Sequence, residues 1–242
     1  MSKYIDLVSL DLAEKIEEYI IKNGLKPNDA LPSERHLASQ WNVNRLTLRE
    51  AIDRLVDEDR LYKVQGRGTF VAEPKFIDDA GEFISYTDGW ISDGYTICSK
   101  QLHLRVIEAN KTIAGHLNLN LGEKVYDLKR IRIIQDIPLT IETSYIPAKY
   151  CEGLEKHDFE NHSLYSTLKK EFGIELVKQS QIFSITSLNK SESGYLGVSE
   201  GSPAFYIVGT SFNRENSPVE YSIALTRSDR YEICSVLTAE NQ

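Results

Sequence analysis

Leu31-Pro32-Ser33-Glu34-Arg35-His36-Leu37-Ala38 opens a stretch, running to Ala72, whose reading decides the fold. Proline fixes the approach, the Ser33 hydroxyl can cap free amides, and Glu34 sits well near a positive helix end, so a short helix is expected over Ser33–Trp41. Val43-Asn44 makes a tight connection, and Asn44 is a good N-cap for a second helix beginning at Arg45. Along that helix Leu48, Ala51, Ile52, Leu55 and Val56 recur at helical spacing as one buried stripe. Leu46, Arg49 and Glu50 are left facing out, with Arg45 at the stripe's edge. Leu61–Val64 and Thr69–Ala72 then form two short apolar runs around Gln65-Gly66-Arg67-Gly68, a β-hairpin whose glycines permit positive φ and close approach of backbone to a phosphate.

Two helices joined by a few residues, the second presenting arginines from its first turns, form a helix-turn-helix suited to the major groove, and the hairpin adds a wing with Arg67 at its tip. On an isolated amphipathic helix Arg45 and Arg49 would read as solvated surface; the order of the three signals turns the reading to double-stranded DNA. Arginine can pair with guanine O6 and N7 through two hydrogen bonds, which makes Arg45 and Arg49 the candidates for base reading. Arg35 is expected to grip phosphate or base, Thr47 and the Gly66 amide to hold the backbone, and Asn44 and Lys63 to belong to the same DNA-binding set. Leu46 faces no core and is either a thymine-methyl contact or an ordinary exposed leucine.

The three runs Leu31–Ala38, Val43–Ala51 and Gly66–Val71 resemble the N-terminal domain of GntR-family bacterial transcription regulators, over about the first 72 residues. Asn44 stands where serine is more usual in that family and serves as an equivalent cap.

A chain of 242 residues is expected to hold two domains. We expect a DNA-binding head at 1–73, a linker at 74–81 broken off by Glu73-Pro74, and a second domain at 82–242. A first helix from Ser9 to Asn23 supports the head. No run approaches the ~18 apolar residues of a membrane span, and Met1–Asp11 lacks a basic-then-apolar signal, so a cytoplasmic protein is expected. Cys98, Cys151 and Cys234 are odd in number and far apart, which fits reduced thiols; no metal and no cofactor is expected, His157 and His162 giving only a faint ligand spacing. The net charge of −8 counts against DNA binding until its distribution is considered. Acids such as Glu14, Glu17, Asp57 and Glu58 fall on the first helix and the far end of the recognition helix, while Arg35, Arg45, Arg49, Lys63 and Arg67 fall on the binding elements.

Beyond Glu82 the pattern becomes mostly period-two. Strands are expected over Gln101–Ala109, Val125–Ile134, Leu139–Ile146, Leu176–Leu188, Ala204–Asn213 and Val219–Arg227, with helices near Thr112–Leu119 and Ser163–Phe172. Two hairpins, each started by glycine and closed by proline, suggest one antiparallel sheet of two similar halves with helices on one side. The whole chain is therefore α+β. Tyr126, Leu128, Arg130, Arg132 and Ile134 share a strand face. The two arginines are either edge charges reaching water or the anion-binding floor of a site, and the second reading requires partners, with Glu142, Glu220 and an anionic ligand as candidates.

Gly122–Arg132, Pro138–Pro147 with Glu142, Ser163-Leu164-Tyr165, Val219-Glu220-Tyr221 and Asp229-Arg230-Tyr231 resemble the UTRA effector domain of the HutC subfamily of GntR regulators, over about residues 82–240. The resemblance implies a chorismate-lyase-like sheet, homodimerisation through this domain, and small effectors such as sugar phosphates. It carries Arg130, Arg132, Glu142, Ser163, Tyr165, Glu220, Arg230 and Tyr231 to the effector, with Ser85, Tyr86 and Thr87 at the ligand's anionic end. Tyr165 equally fits a core position, and Arg230 with Asp229 equally fits a structural ion pair. The expectation is a ligand-responsive regulator, a repressor rather than an enzyme, bound as a homodimer to a near-palindromic operator; the alternative is chorismate-lyase-like enzyme activity in the second domain. A GntR branch with a helical, metal-binding effector domain is disfavoured by the period-two strands.

Overall fold

The computed structural model describes residues 7–79, 86–92 and 94–235, and they pack as two units divided between Lys75 and Phe76. In the first unit α1 (Leu7–Lys22), α2 (Glu34–Trp41) and α3 (Arg45–Asp57) precede the hairpin β1 (Leu61–Val64) and β2 (Gly68–Val71). Ser33 caps α2 by accepting the His36 amide hydrogen at 3.2 Å, and Asn44 caps α3 by accepting that of Leu46 at 2.8 Å. Asn42, in the left-handed region at φ 53°, ends α2 and turns the chain into α3 within three residues. The predicted stripe of α3 is buried: Leu48, Ala51, Ile52 and Leu55 pack with Leu12, Ile16, Leu37 and Leu61. At ~1.5–3 kcal/mol for each large aliphatic side chain, this one small core holds helices and wing together. Gly68 sits at φ 123°, which a side chain would make costly, so the wing tip depends on that glycine.

The second unit is built on a six-stranded antiparallel sheet. Its strands are β4 (Ile97–Glu108), β5 (Lys124–Ile134), β6 (Ile137–Pro147), β7 (Leu176–Ser187), β8 (Pro203–Asn213) and β9 (Pro218–Arg227), in the order β4-β5-β6-β9-β8-β7. Each half runs strand, helix, hairpin. α5 (Lys111–Leu117) sits between β4 and β5, and α7 (Lys190–Leu196) between β7 and β8. Asn110 and Asn189 cap these helices alike, and Gly122 and Gly201 start the hairpins at φ 83° and 84°. The two similar halves expected from sequence are thus present, joined where β6 pairs β9.

Helices cover both sheet faces rather than one. Val125, Tyr145, Tyr221 and Ile223 pack under α5, and Ile141, Ala204 and Leu225 pack with Leu196 of α7. Their neighbours Tyr126, Leu128 and Ile146 point the opposite way, under α6 (Leu164–Phe172). Farther along that second face Ile134, Leu139 and Ile207 pack with Phe76, Tyr231 and Trp90 of α4 (Tyr86–Ser92). A sheet with apolar residues at both parities must bury both faces, which period-two reading of single strands underestimates. Part of the expected linker is also a strand: β3 (Phe76–Asp79) lies parallel to β10 (Tyr231–Cys234). The three cysteines are free thiols, and burial pushes that of Cys151 up to about 12.

Candidate functional site

On the first unit Arg35, Arg45, Leu46 and Arg49 are exposed along the start of α2 and α3, and Leu46 is 61% accessible. Glu34 stands among them. Its carboxylate receives Arg49 through Nη2 at 2.7 Å and Nε at 3.1 Å, and Arg45 through Nε at 3.3 Å. The hydrogen bond from Arg49, opposed by partial burial and helped by Arg45, holds the Glu34 carboxyl below its usual range. On the wing side Lys63 pairs with Asp53, and the Arg67 guanidinium lies 5.8 Å from the centre of the Phe70 ring. The basic face is therefore partly neutralised from within. Sequence reading placed Glu34 at the helix end but foresaw neither its pairing with Arg45 and Arg49 nor that of Asp53 with Lys63.

On the second unit the strand arginines do not reach water. Arg130 and Arg132 are each 2% exposed, in the second strand of the sheet. Arg130 faces Glu142 across the β5–β6 ladder and donates to it through Nη2 at 2.5 Å, with Arg132 Nη1 3.8 Å from the same oxygen. Arg132 also donates to the Thr87 hydroxyl of α4. Burial works to raise the Glu142 pKa, but the charges of Arg130 and Arg132 outweigh it and hold the carboxyl below its usual range. Among the described residues, Arg130 Nε and Nη1 are buried without a hydrogen-bond partner. Such donors are costly to leave unmet and point to a bound acceptor.

On the strand next to that of Glu142 the second carboxyl behaves oppositely. Glu220 accepts from the Tyr165 hydroxyl at 2.6 Å and from the Ser211 hydroxyl at 3.1 Å. Burial, then the negative charge of Glu142, pushes its pKa up. Burial and the Glu220 charge push the Tyr165 phenol well above its ordinary value. Gln179 of β7 extends this network by donating to Ser211 at 3.1 Å. Gly209 lies in the same floor, where an added Cβ would meet the Ser222 hydroxyl at 2.8 Å and the Gln179 amide at 3.3 Å. The result is a polar strip between the apolar cluster under α6 and the one around Trp90. With two arginines against one carboxylate held ionised and one pushed toward neutrality, the strip favours a negative guest.

Residues 9–71 match the family described as bacterial regulatory proteins, gntR family, and residues 92–232 match the UTRA domain. The HTH-type transcriptional repressor NagR of Bacillus subtilis is 32% identical over 212 residues, covering 87% of each chain. This chain belongs to the GntR family of regulators. A probable fructoselysine utilization operon transcriptional repressor of Escherichia coli is 26% identical over 240 residues, covering 98% of this chain and 95% of that one. The crystal structure of PhnF from Mycobacterium smegmatis superposes with a TM-score of 0.70 at 25% identity, over 95% of this chain and all of that one.

GntR relatives are transcriptional regulators, not enzymes, and this leaves the lyase alternative without support. No helix among the described residues is long and apolar enough to cross a membrane. In this GntR-family chain Thr87, Arg130, Arg132 and Glu142 meet in one connected cluster, and Tyr165 joins Glu220 beside it, so Tyr165 serves both the α6 core and the strip. Other expected positions are occupied differently. Ser163 caps α6, accepting the Ser166 amide hydrogen at 3.2 Å. Tyr231 is buried beside Phe76 with its hydroxyl on Asp78, and the Arg230 guanidinium lies 6.0 Å from the Phe76 ring centre. Asp229 is held by Arg227 at 2.7 Å, so Arg227 makes the ion pair that was one of the two readings of Arg230. Ser85 lies outside the described residues, as does the side chain of Tyr86. Gln179, Gly209 and Ser211 were missed; once β7, β8 and β9 are paired, the register sets Ser211 opposite Glu220, Gly209 opposite Ser222, and Gln179 opposite Ser211.

Proposed function

We propose that this protein is a homodimeric, cytoplasmic repressor of the HutC branch whose 82–242 region binds a small anionic effector, with sugar phosphates the favoured class. The observation that carries the effector reading is the buried Arg130–Arg132 pair, sharing Glu142 and leaving two Arg130 donors unmet among the described residues. A planar guanidinium fork suits a phosphate or carboxylate, and the strip's hydroxyls suit a sugar ring. The name of the fructoselysine relative supports a carbohydrate-linked signal.

In the head, Arg35, Arg45 and Arg49 are the base and phosphate readers, with Asn44, Leu46, Thr47, Lys63, Gly66 and Arg67 as supporting contacts. Two such heads enter successive major grooves, ~34 Å apart, of a near-palindromic operator. The effector acts by favouring the arrangement that does not bind DNA, since only differential affinity shifts such an equilibrium.

A thermal-shift screen of sugar phosphates tests the reading, because a ligand at 100 times its Kd stabilises the native state by about 2.7 kcal/mol. Arg132→Ala is expected to keep operator binding and to lose release by the hit compound. Normal release by Arg132→Ala, or shifts from uncharged compounds alone, would overturn the effector assignment.

A further inference from the structure

The polar strip is walled at its β7 end. Tyr165 reaches down from α6 to the sheet, donating to Glu220 at 2.6 Å with its hydroxyl 2.9 Å from that of Ser211. Gln179 Nε2 donates to Ser211 at 3.1 Å and toward the Tyr165 hydroxyl at 3.5 Å, so one amide joins the sheet below to the helix above. It crosses to them beside Gly209, where a Cβ would come within 3.3 Å of that amide. Gly209 does not have a positive φ, so space rather than backbone strain accounts for its missing side chain. Between this wall and Arg130 the floor is made of small residues: the register sets Ser144 opposite Ser222 and Glu142 opposite Ala224. Ser222 and Ala224 are only half-buried although β9 is a central strand, which leaves open room above them. The four residues from Ala224 back to Glu220 span ~13 Å of strand, and the side chains at both ends take part of that length.

We propose that Gln179 is a specificity-determining residue that closes the strip at β7, so that the guest is a single hydroxyl-bearing ring anchored by its anion at Arg130 and Arg132, and a two-ring guest is refused. The inference rests on the anionic-effector reading above and narrows its class from sugar phosphates to monosaccharide phosphates. An amide suits the post because its two hydrogens serve two oxygens at once and bring no charge beside Glu220. A carboxylate there would set a like charge near Glu220, and a shorter side chain would fall short of Ser211. Because β7 is an outer strand, a strip without this wall runs on to the edge of the sheet.

Titration calorimetry of the full chain tests the wall with three kinds of probe: inorganic phosphate, a set of hexose 6-phosphates (glucose, glucosamine and fructose), and the two-ring trehalose 6-phosphate. The wild type is expected to bind its preferred hexose phosphate at least about tenfold more tightly than trehalose 6-phosphate. Gln179→Ala should bring the two affinities together while leaving that for phosphate unchanged, since the anion sits at the far end of the strip. Gln179→Met, which restores the length without the donors, should restore the one-ring preference. A wild type that takes both sizes equally, or a Gln179→Ala protein that keeps the wild-type ratio, overturns the wall and leaves the anionic reading standing. Phosphate binding without any sugar phosphate overturns the ring-sized guest alone, and no binding of any probe overturns the anionic reading as well. A Gln179→Ala protein that loses phosphate too would make Gln179 a structural residue and sink the proposal.

Discussion

Glu142, half-buried, and Glu220, buried, are carboxyls on adjacent strands with opposite roles. The folded pKa of Glu142 lies below its usual 4.5, so its contribution to stability is present above that value and is lost as pH falls through the lower folded value. Glu220 has its folded pKa raised above 4.5, so it favours the fold while protonated and that contribution is lost as pH rises through the folded value. The isosteric amide should therefore act in opposite directions. Glu142→Gln leaves two buried guanidiniums without their counter-charge and should cost ~3 kcal/mol, a drop in Tm on the order of 10 °C. Glu220→Gln retains an acceptor for Tyr165 and Ser211 and should leave Tm at pH 7 unchanged or raised, with a flatter Tm profile as pH rises above 4.5. Thermal denaturation across that range checks both, and equal losses would mean that Glu220 is ionised. In the head Glu34 plays a comparable part, holding Arg45 and Arg49 in place before DNA arrives. Glu34→Ala should raise non-specific binding and lower operator discrimination by about tenfold, the equivalent of ~1.4 kcal/mol, in competition gel shifts. Undiminished discrimination would reduce Glu34 to a helix-end charge.

At the scale of elements, the wing offers a cleaner test than the recognition helix, because a phosphate contact and a base contact leave different signatures. Arg67→Ala should weaken binding to operator and random DNA alike and reduce the log–log salt slope by ~0.9 for each head, whereas Arg49→Ala should cost ~1–3 kcal/mol at the operator alone. Much of this level was legible in the sequence where one local rule sufficed: caps at Ser33 and Asn44, the stripe of α3, and glycines in the wing. α7 was missed although its signal was there, since Asn189 and Glu192 close a reciprocal capping box. β3 and β10 left no comparable signal. Each has four residues, and each forms only because a strand more than 150 positions away in the chain supplies its hydrogen bonds. The strand-face parity of Arg130 and Arg132 was equally readable, but their burial was not. It follows from β4 lying outside β5 and from α4 supplying Thr87, both long-range facts.

For the whole molecule, described contacts link the site of the proposed anion on β5 to Phe76, the first residue of the second unit. Thr87 and Trp90 share α4; Thr87 meets Arg132, and Trp90 packs edge-on to Phe76 with ring centres 5.9 Å apart. Phe76 begins β3 directly after Lys75, the last residue of the first unit. An effector that takes the Arg132 donors now used by Thr87 changes what holds α4, and α4 cannot shift without repacking Trp90 against Phe76 and Tyr95. Trp41 and Trp90 are the chain's two tryptophans, so Trp41→Phe leaves Trp90 as the sole indole. In that variant an effector found by thermal shift should change Trp90 emission, and the change should saturate over the same concentrations that release the operator. Thr87→Val should keep the fold but uncouple the two curves, because the helix then has no hydroxyl for the effector to displace. Operator release with silent Trp90 emission would rule out α4 as the relay and leave the polar strip acting through another element, β7 being one that its Gln179–Ser211 network reaches.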